Sequence, residues 1–190
     1  MKEYRSAIRS RNMIKKAFFE LLSQKNATEI TVVDVVNAAD ISRNTFYAHY
    51  DDIYAVLNEI EDDFIEKLNI YVGESGDNSI DDYPLYLLQK IARFIEADAE
   101  SSGIFIVDPD FDKFGEKIKN VIKTRIKSAY EISDETENFE FDALLECVSS
   151  GFISLCKKSF KGEIKASIDD ISKETSRILS NCIKGCISAV

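Results

Sequence analysis

From Ser10 onward, Ile14, Ala17, Phe18, Leu21 and Leu22 recur at spacings of three and four, the pattern of an amphipathic helix. That helix ends near "SQKNAT", where Asn26 suits a helix-terminating conformation. Thr31 then opens a short second helix whose apolar side is Val32, Val35, Val36 and Ala39. Thr31 and Asp34 have the spacing of a reciprocal cap, hydroxyl to backbone and carboxylate back to the cap. The run of valines also fits a strand, but the cap, the alanines that follow and the short length favour a helix. "AADIS" reads as a turn, with Ser42 as N-cap of a third helix, "RNTFYAHY". Asp51 and Asp52 cap a long fourth helix in which Ile53, Val56, Leu57, Ile60, Phe64 and Leu68 trace one stripe to about Val72.

The polar stretch "GESGDNSIDDYP" reads as a loop, and the pattern beyond it is helical again. Leu88, Ile91, Ala92 and Ile95 are in register, and "SSGIFIVDPD" is a short segment broken at Pro109. Ile118, Val121, Ile122 and Ile126 define a further helix. Phe141, Leu144, Leu145, Val148, Phe152 and Leu155 then spread over more than one face of the next. Ile168, Ile171, Thr175, Ile178 and Cys182 recur at near-heptad spacing in the last. No internal repeat and no strand stands out, so the expected fold class is all-α. Residues 1–52 would form an N-terminal three-helix unit containing a helix-turn-helix, and residues 53–190 a C-terminal helical bundle.

Composition adds bounds. Among 190 residues, 45% hydrophobic, there are two prolines and seven glycines, which leaves room for long helices. No apolar run approaches the roughly 18 residues of a membrane span. The basic N-terminus lacks the apolar core of a signal peptide, so a cytoplasmic location is expected, with no membrane partner. Cys147, Cys156, Cys182 and Cys186 form no CxxC pair, and His49 is the one histidine. Buried structural thiols are the expectation, with no metal and no cofactor. Charge is uneven: residues 1–50 carry eight Lys/Arg against five Asp/Glu, a net +3, whereas residues 51–190 carry sixteen against twenty-nine, a net −13. A basic module precedes an acidic body, and the local field is what a polyanion meets.

In a helix-turn-helix, the second helix offers its N-terminal residues to base edges while neighbouring groups hold phosphates. Phe46 falls where a core-facing residue is needed, which leaves Arg43, Asn44, Thr45 and Tyr47 outward. Arg and Asn suit bidentate contacts with guanine and adenine, and Thr offers a methyl or hydroxyl. Tyr47 adds a ring and a phosphate-reaching hydroxyl, while His49 and Tyr50 sit at the helix end, where phosphates are within reach.

The segment "TVVDVVNAADISRNTFYAHYDDIYAVL" resembles the DNA-binding segment of the tetracycline-repressor (TetR) family of bacterial transcriptional regulators. The likeness rests on Thr31 opening the second helix, Ala38-Ala39 before the turn, Ile41-Ser42 entering the third helix and "TFYAHY" closing it, and it covers about the first 60 residues. It implies that Thr31 and Tyr50 hold backbone phosphates. Arg43, Asn44, Thr45 and Tyr47 would lie in or beside the major groove, with His49 at its edge. Arg9 and Arg11, before the first helix, would sit near the minor groove or the phosphates. Two positions depart from the pattern: Asp40 stands where the turn usually has glycine, and Asp51-Asp52 where the fourth helix usually opens with a lysine.

A single helix-turn-helix makes few base contacts, so a homodimer on paired half-sites is expected. The last two helices supply its surface through Phe141, Leu144, Leu145, Val148, Gly151, Phe152, Leu155, Ile171, Thr175, Ile178 and Cys182, and "SSG" at 149–151 permits close approach. The family pairs two such helices as a four-helix bundle. It also encloses a small-molecule effector between the DNA-binding unit and the dimer helices, which makes Phe64, Tyr86, Phe94, Phe105 and Phe114 candidate lining residues, although core packing explains them equally well. The expected function is a dimeric repressor of a double-stranded DNA operator, modulated by an effector. The alternative is a coactivator or interaction protein that docks a partner through its acidic body. An enzyme finds no support: there is no phosphate loop and no nucleophile beside a base.

Overall fold

The computed structural model describes residues 2–73, 79–97, 111–132 and 139–187. Among the described residues there are eight α-helices and no strand, so the all-α expectation holds. They are α1 (Lys2–Leu22), α2 (Val32–Ala38), α3 (Arg43–Tyr47), α4 (Ile53–Gly73), α5 (Tyr83–Ala97), α6 (Phe111–Ala129), α7 (Phe139–Phe160) and α8 (Ile168–Ile187). A single 3-10 turn, Ala27–Glu29, precedes α2. Two compact units result, and the chain passes from one to the other within α4, after Phe64.

In the first unit α1, α2 and α3 pack against one another. Ile14, Ala17, Phe18 and Leu22 of α1 are buried, as are Val35, Val36, Ala39, Phe46 and Val56. This is the inward stripe that the three- and four-residue spacing predicts. α1 begins earlier than its apolar pattern, at Lys2, because the preceding residues hold no helix breaker. Arg9 and Arg11 therefore project from α1 itself and do not precede it. Asn26 is extended, at φ −63° and ψ 153°, and its N–H donates to Glu29 Oε2 at 3.2 Å. It opens the 3-10 turn and does not terminate α1, which closes through the N–H groups of Gln24 and Lys25 onto the Leu21 carbonyl.

In the second unit α5, α6, α7 and α8 form a ring of neighbours in which each helix packs on two others. Leu88, Ile91, Ile95, Ile118, Ile122, Ile126, Phe141, Leu145, Phe152, Ile171, Leu179 and Ile183 fill it. Each such side chain contributes roughly 1.5–3 kcal/mol when fully buried. An ionic ladder ties α6 to α7: Lys127 to Asp142 at 2.8 Å, Lys123 to Glu146 at 2.8 Å and Lys119 to Glu146 at 2.7 Å.

The α8 stripe differs from the near-heptad expectation. Ile168, Ile171, Ser172, Thr175, Ser176, Leu179 and Ile183 are buried, whereas Ile178 and Cys182 are exposed. Ser172 and Ser176 donate to the carbonyls of Asp169 and Lys173, both at 2.8 Å, so burying their hydroxyls leaves no donor unsatisfied. Phe141, Leu145, Phe152, Ile171 and Thr175, expected at a dimer surface, belong to the chain's own core. Leu144 and Val148 are half-buried, and Gly151, Leu155, Ile178 and Cys182 are open to solvent. A side chain at Gly151 would meet no other atom within 4 Å among the described residues, so its smallness serves no contact there. Of the thiols expected to be buried, Cys156 is, while Cys147 and Cys182 are exposed. The side chain of Cys186 and the segment at Pro109 lie outside the described residues.

Candidate nucleic-acid interface

Local chemistry sets the helix-turn-helix. Thr31, extended at φ −105°, caps α2: the Asp34 N–H donates to Thr31 Oγ1 at 3.2 Å, and Asp34 Oδ2 accepts from the Thr31 N–H at 2.9 Å and its hydroxyl at 2.8 Å. Lys25 Nζ reaches the same carboxylate at 2.7 Å. Hydrogen bonds from Lys25 and then Thr31 hold the Asp34 carboxyl down at about 2.

α2 ends in a paired closure. The Ile41 N–H donates to the Val36 carbonyl at 3.0 Å and the Asp40 N–H to the Asn37 carbonyl at 3.3 Å, with Asp40 left-handed at φ 51°. That is the position glycine commonly fills after a helix, and aspartate occupies it at a conformational cost. Ser42 caps α3, accepting from the Thr45 N–H at 3.0 Å. Phe46 is fully buried and anchors the helix, with Tyr47 edge-on at 5.5 Å and Tyr50 at 5.9 Å between ring centroids.

One anchor turned inward leaves the other α3 positions outward. Arg43 and Asn44 are exposed, and Tyr47 is 56% exposed. Thr45 is half-buried, with its hydroxyl 2.9 Å from that of Ser42, so it is partly spent on the cap. His49 is half-buried; Thr31 and Arg9 are exposed. Asp52 caps α4 by accepting from the Ala55 N–H at 2.8 Å, which gives one of the two departing carboxylates a structural role. Asp51 is exposed beside it.

Of two expected phosphate contacts, one is buried and the other is paired within the chain. Tyr50 is 5% exposed, and among the described residues its hydroxyl has no partner at good hydrogen-bond geometry, although Arg11 and Glu59 are near enough to act on it. The Arg11 guanidinium lies 5.8 Å from the centroid of the Tyr50 ring and donates to Glu59 of α4 at 2.5 Å. Burial raises the Tyr50 phenol, and Arg11 and Glu59, close enough to be felt, act on it in opposite directions. Burial also acts to raise the Glu59 carboxyl, but bonds from Arg11 and Lys15 outweigh it and hold that carboxyl below its ordinary value. Apolar periodicity gave no hint of Glu59. The available signal was a charge match: Arg11 and Lys15 on one helix, Glu59 and Asp63 on another, each pair four residues apart.

Phe64 and Phe114 are buried, and Phe105 lies outside the described residues. Phe94 packs on Tyr71 at 5.5 Å, and Lys90 Nζ stands 5.2 Å from the Tyr71 ring and 5.1 Å from the Tyr86 ring. A cleft of about 410 Å³ between α6 and α7 is lined by other residues, Lys119, Ser150 and Lys157 among them. Among the described residues no cluster of three metal-ligating side chains occurs, and no helix is long and apolar enough to cross a membrane.

No protein-family model matches the chain, and no curated protein sequence matches it. Solved structures do. A TetR transcriptional regulator from Streptococcus agalactiae superposes with a TM-score of 0.70 at 21% identity, over 94% of this chain and 98% of that one. The dihydroxyacetone kinase operon activator DhaS gives 0.61 at 20% identity, over 92% and 96%. A TetR-family regulator from Streptomyces coelicolor gives 0.64 at 12% identity, over 95% and 83%. Along nearly its whole length, the chain has the fold of the TetR-type transcriptional regulators.

Proposed function

We propose that this chain is a DNA-binding transcriptional regulator that acts as a homodimer on a double-stranded operator. The observation that carries the reading is α3: a short, capped helix anchored by buried Phe46 that leaves Arg43, Asn44 and Tyr47 outward. Side chains of these types read base edges and phosphates in the major groove, and Thr31 and Arg9 flank them as phosphate contacts. Thr45 and His49, half-buried, play a lesser part.

Leu144, Val148, Gly151 and Leu155 of α7 with Ile178 and Cys182 of α8 are the surface we assign to the second copy, since α7 and α8 are neighbours. Occupying an operator by itself blocks a promoter, so repression is the reading with fewest parts. A small-molecule effector would act by favouring one separation of the paired DNA-binding units over another. Partner docking through the acidic body is the second reading, favoured by the −13 charge of residues 51–190. One structural neighbour, DhaS, is an operon activator, so this fold serves activation elsewhere.

The test is binding of the purified protein to duplexes from the DNA beside its own gene, in competition with mixed-sequence duplex. Selective binding at dimer stoichiometry supports the regulator. Equal competition by every duplex moves the reading to partner docking.

A further inference from the structure

Arg11 and Lys15 project from one face of α1 and meet Glu59 and Asp63 of α4. Arg11 donates to Glu59 at 2.5 Å, and Lys15 lies 3.0 Å from Glu59 and 2.6 Å from Asp63. The same arginine lies over the Tyr50 ring, whose buried hydroxyl has no partner at good hydrogen-bond geometry among the described residues, although Arg11 and Glu59 are near enough to act on it. A buried, unpartnered hydroxyl is uncommon in folded proteins and is relieved when an acceptor arrives. The cation of Arg11 and the phenol of Tyr50 are both suited to a phosphate oxygen. The first is held by a carboxylate and lies over the ring of the second.

Accordingly we propose that Glu59 is a latch on the DNA-binding unit: it holds Arg11 over Tyr50 and masks both from the DNA backbone. Affinity is then set by competition between the Glu59 carboxylate and a phosphate for Arg11. The Arg11 side chain is 48% exposed, so a phosphate can approach it, and an ion pair this open is weak enough to be exchanged. Lys15 keeps Asp63 when Glu59 changes partner, so α1 remains tied to α4. The inference rests on the DNA-binding reading above.

It is tested by fluorescence anisotropy with a mixed-sequence duplex between about 50 and 200 mM salt, because each phosphate contact adds about 0.9 to the slope of log affinity against log salt. Glu59→Gln is expected to tighten binding several-fold at low salt and to steepen the slope by about two, one phosphate contact from each protomer of the dimer. Both gains disappear in Glu59→Gln/Arg11→Ala, and part is lost in Glu59→Gln/Tyr50→Phe. Asp63→Asn removes the same charge one turn away and leaves the slope unchanged. Within the unaltered latch, Arg11→Ala shifts the slope by well under one, a measurement independent of how Glu59→Gln folds. Unchanged or weaker binding by Glu59→Gln overturns the latch, as does a gain that survives loss of Arg11 or a full unit lost on Arg11→Ala alone. Wild-type protein that binds no duplex removes both the latch and the DNA-binding reading; wild-type binding with an unaffected Glu59→Gln removes the latch alone.

Discussion

Thr31 and Asp34 hold each other reciprocally, the Asp34 N–H donating to the Thr31 hydroxyl oxygen while the Asp34 carboxylate accepts from both the N–H and the hydroxyl of Thr31. The start of α2 is therefore fixed by two side chains three residues apart. Thr31→Ala removes the cap and is expected to cost about 1 kcal/mol of stability, whereas Thr31→Ser restores most of it. Thermal or urea unfolding of the two variants compares them. Equal melting of Thr31→Ala and wild type would sink the assignment.

Asp40 is left-handed at φ 51° in the turn between α2 and α3. Asp40→Gly keeps both closing hydrogen bonds and relieves the side-chain strain, so it should stabilise the protein by up to about 1 kcal/mol. Asp40→Ala should not. A higher urea midpoint for the glycine variant, with unchanged helicity, is the expected record; a lower one would mean the aspartate makes a contact worth more than the strain.

Acid should loosen the second unit through the α6–α7 ladder. Hydrogen bonds from Lys119 and then Lys123 hold the Glu146 carboxyl at about 2, below its ordinary 4.5. A folded-state value below the unfolded one gives stability that is present above pH 4.5 and lost as pH falls towards 2. Glu146 is 47% exposed, so the effect is modest. Glu146→Gln should flatten the dependence of melting temperature on pH in this window, and wild-type and variant curves that stay parallel would remove the ladder from the account.

Leu155 and Ile178 are 38% and 49% exposed on neighbouring helices, while Phe152 is fully buried. Leu155→Glu and Ile178→Glu should each leave the fold intact and shift the sedimentation coefficient to that of a monomer. Phe152→Ala should instead lower stability by about 3–5 kcal/mol. Charged variants that still sediment as dimers would move the interface elsewhere.

The helix-turn-helix was legible in the sequence because its signals are local. Thr31, Asp34, Ser42 and Phe46 act within a few residues of themselves. Two kinds of feature stayed hidden. Burial of small polar residues was one: Ser172 and Ser176 satisfy their hydroxyls on their own helix and pass into the core, so counting apolar residues shifted the α8 stripe towards Ile178 and Cys182. It also placed Phe141 and Phe152 on an outer surface when they are core. Long-range charge pairing was the other. Arg11 and Glu59 are 48 residues apart, and the basic residues that open α1 have no apolar rhythm to mark them as helical.

The most direct test of DNA reading by α3 is the salt dependence of binding to a duplex from beside the gene, measured for wild type and for Arg43→Ala/Tyr47→Ala. Wild type should bind selectively and weaken by orders of magnitude between about 50 and 200 mM salt. The double variant should fold and lose the selectivity, since each good base contact is worth about 1–3 kcal/mol of discrimination. A folded double variant that still chooses the same duplex as strongly as wild type would contradict the account.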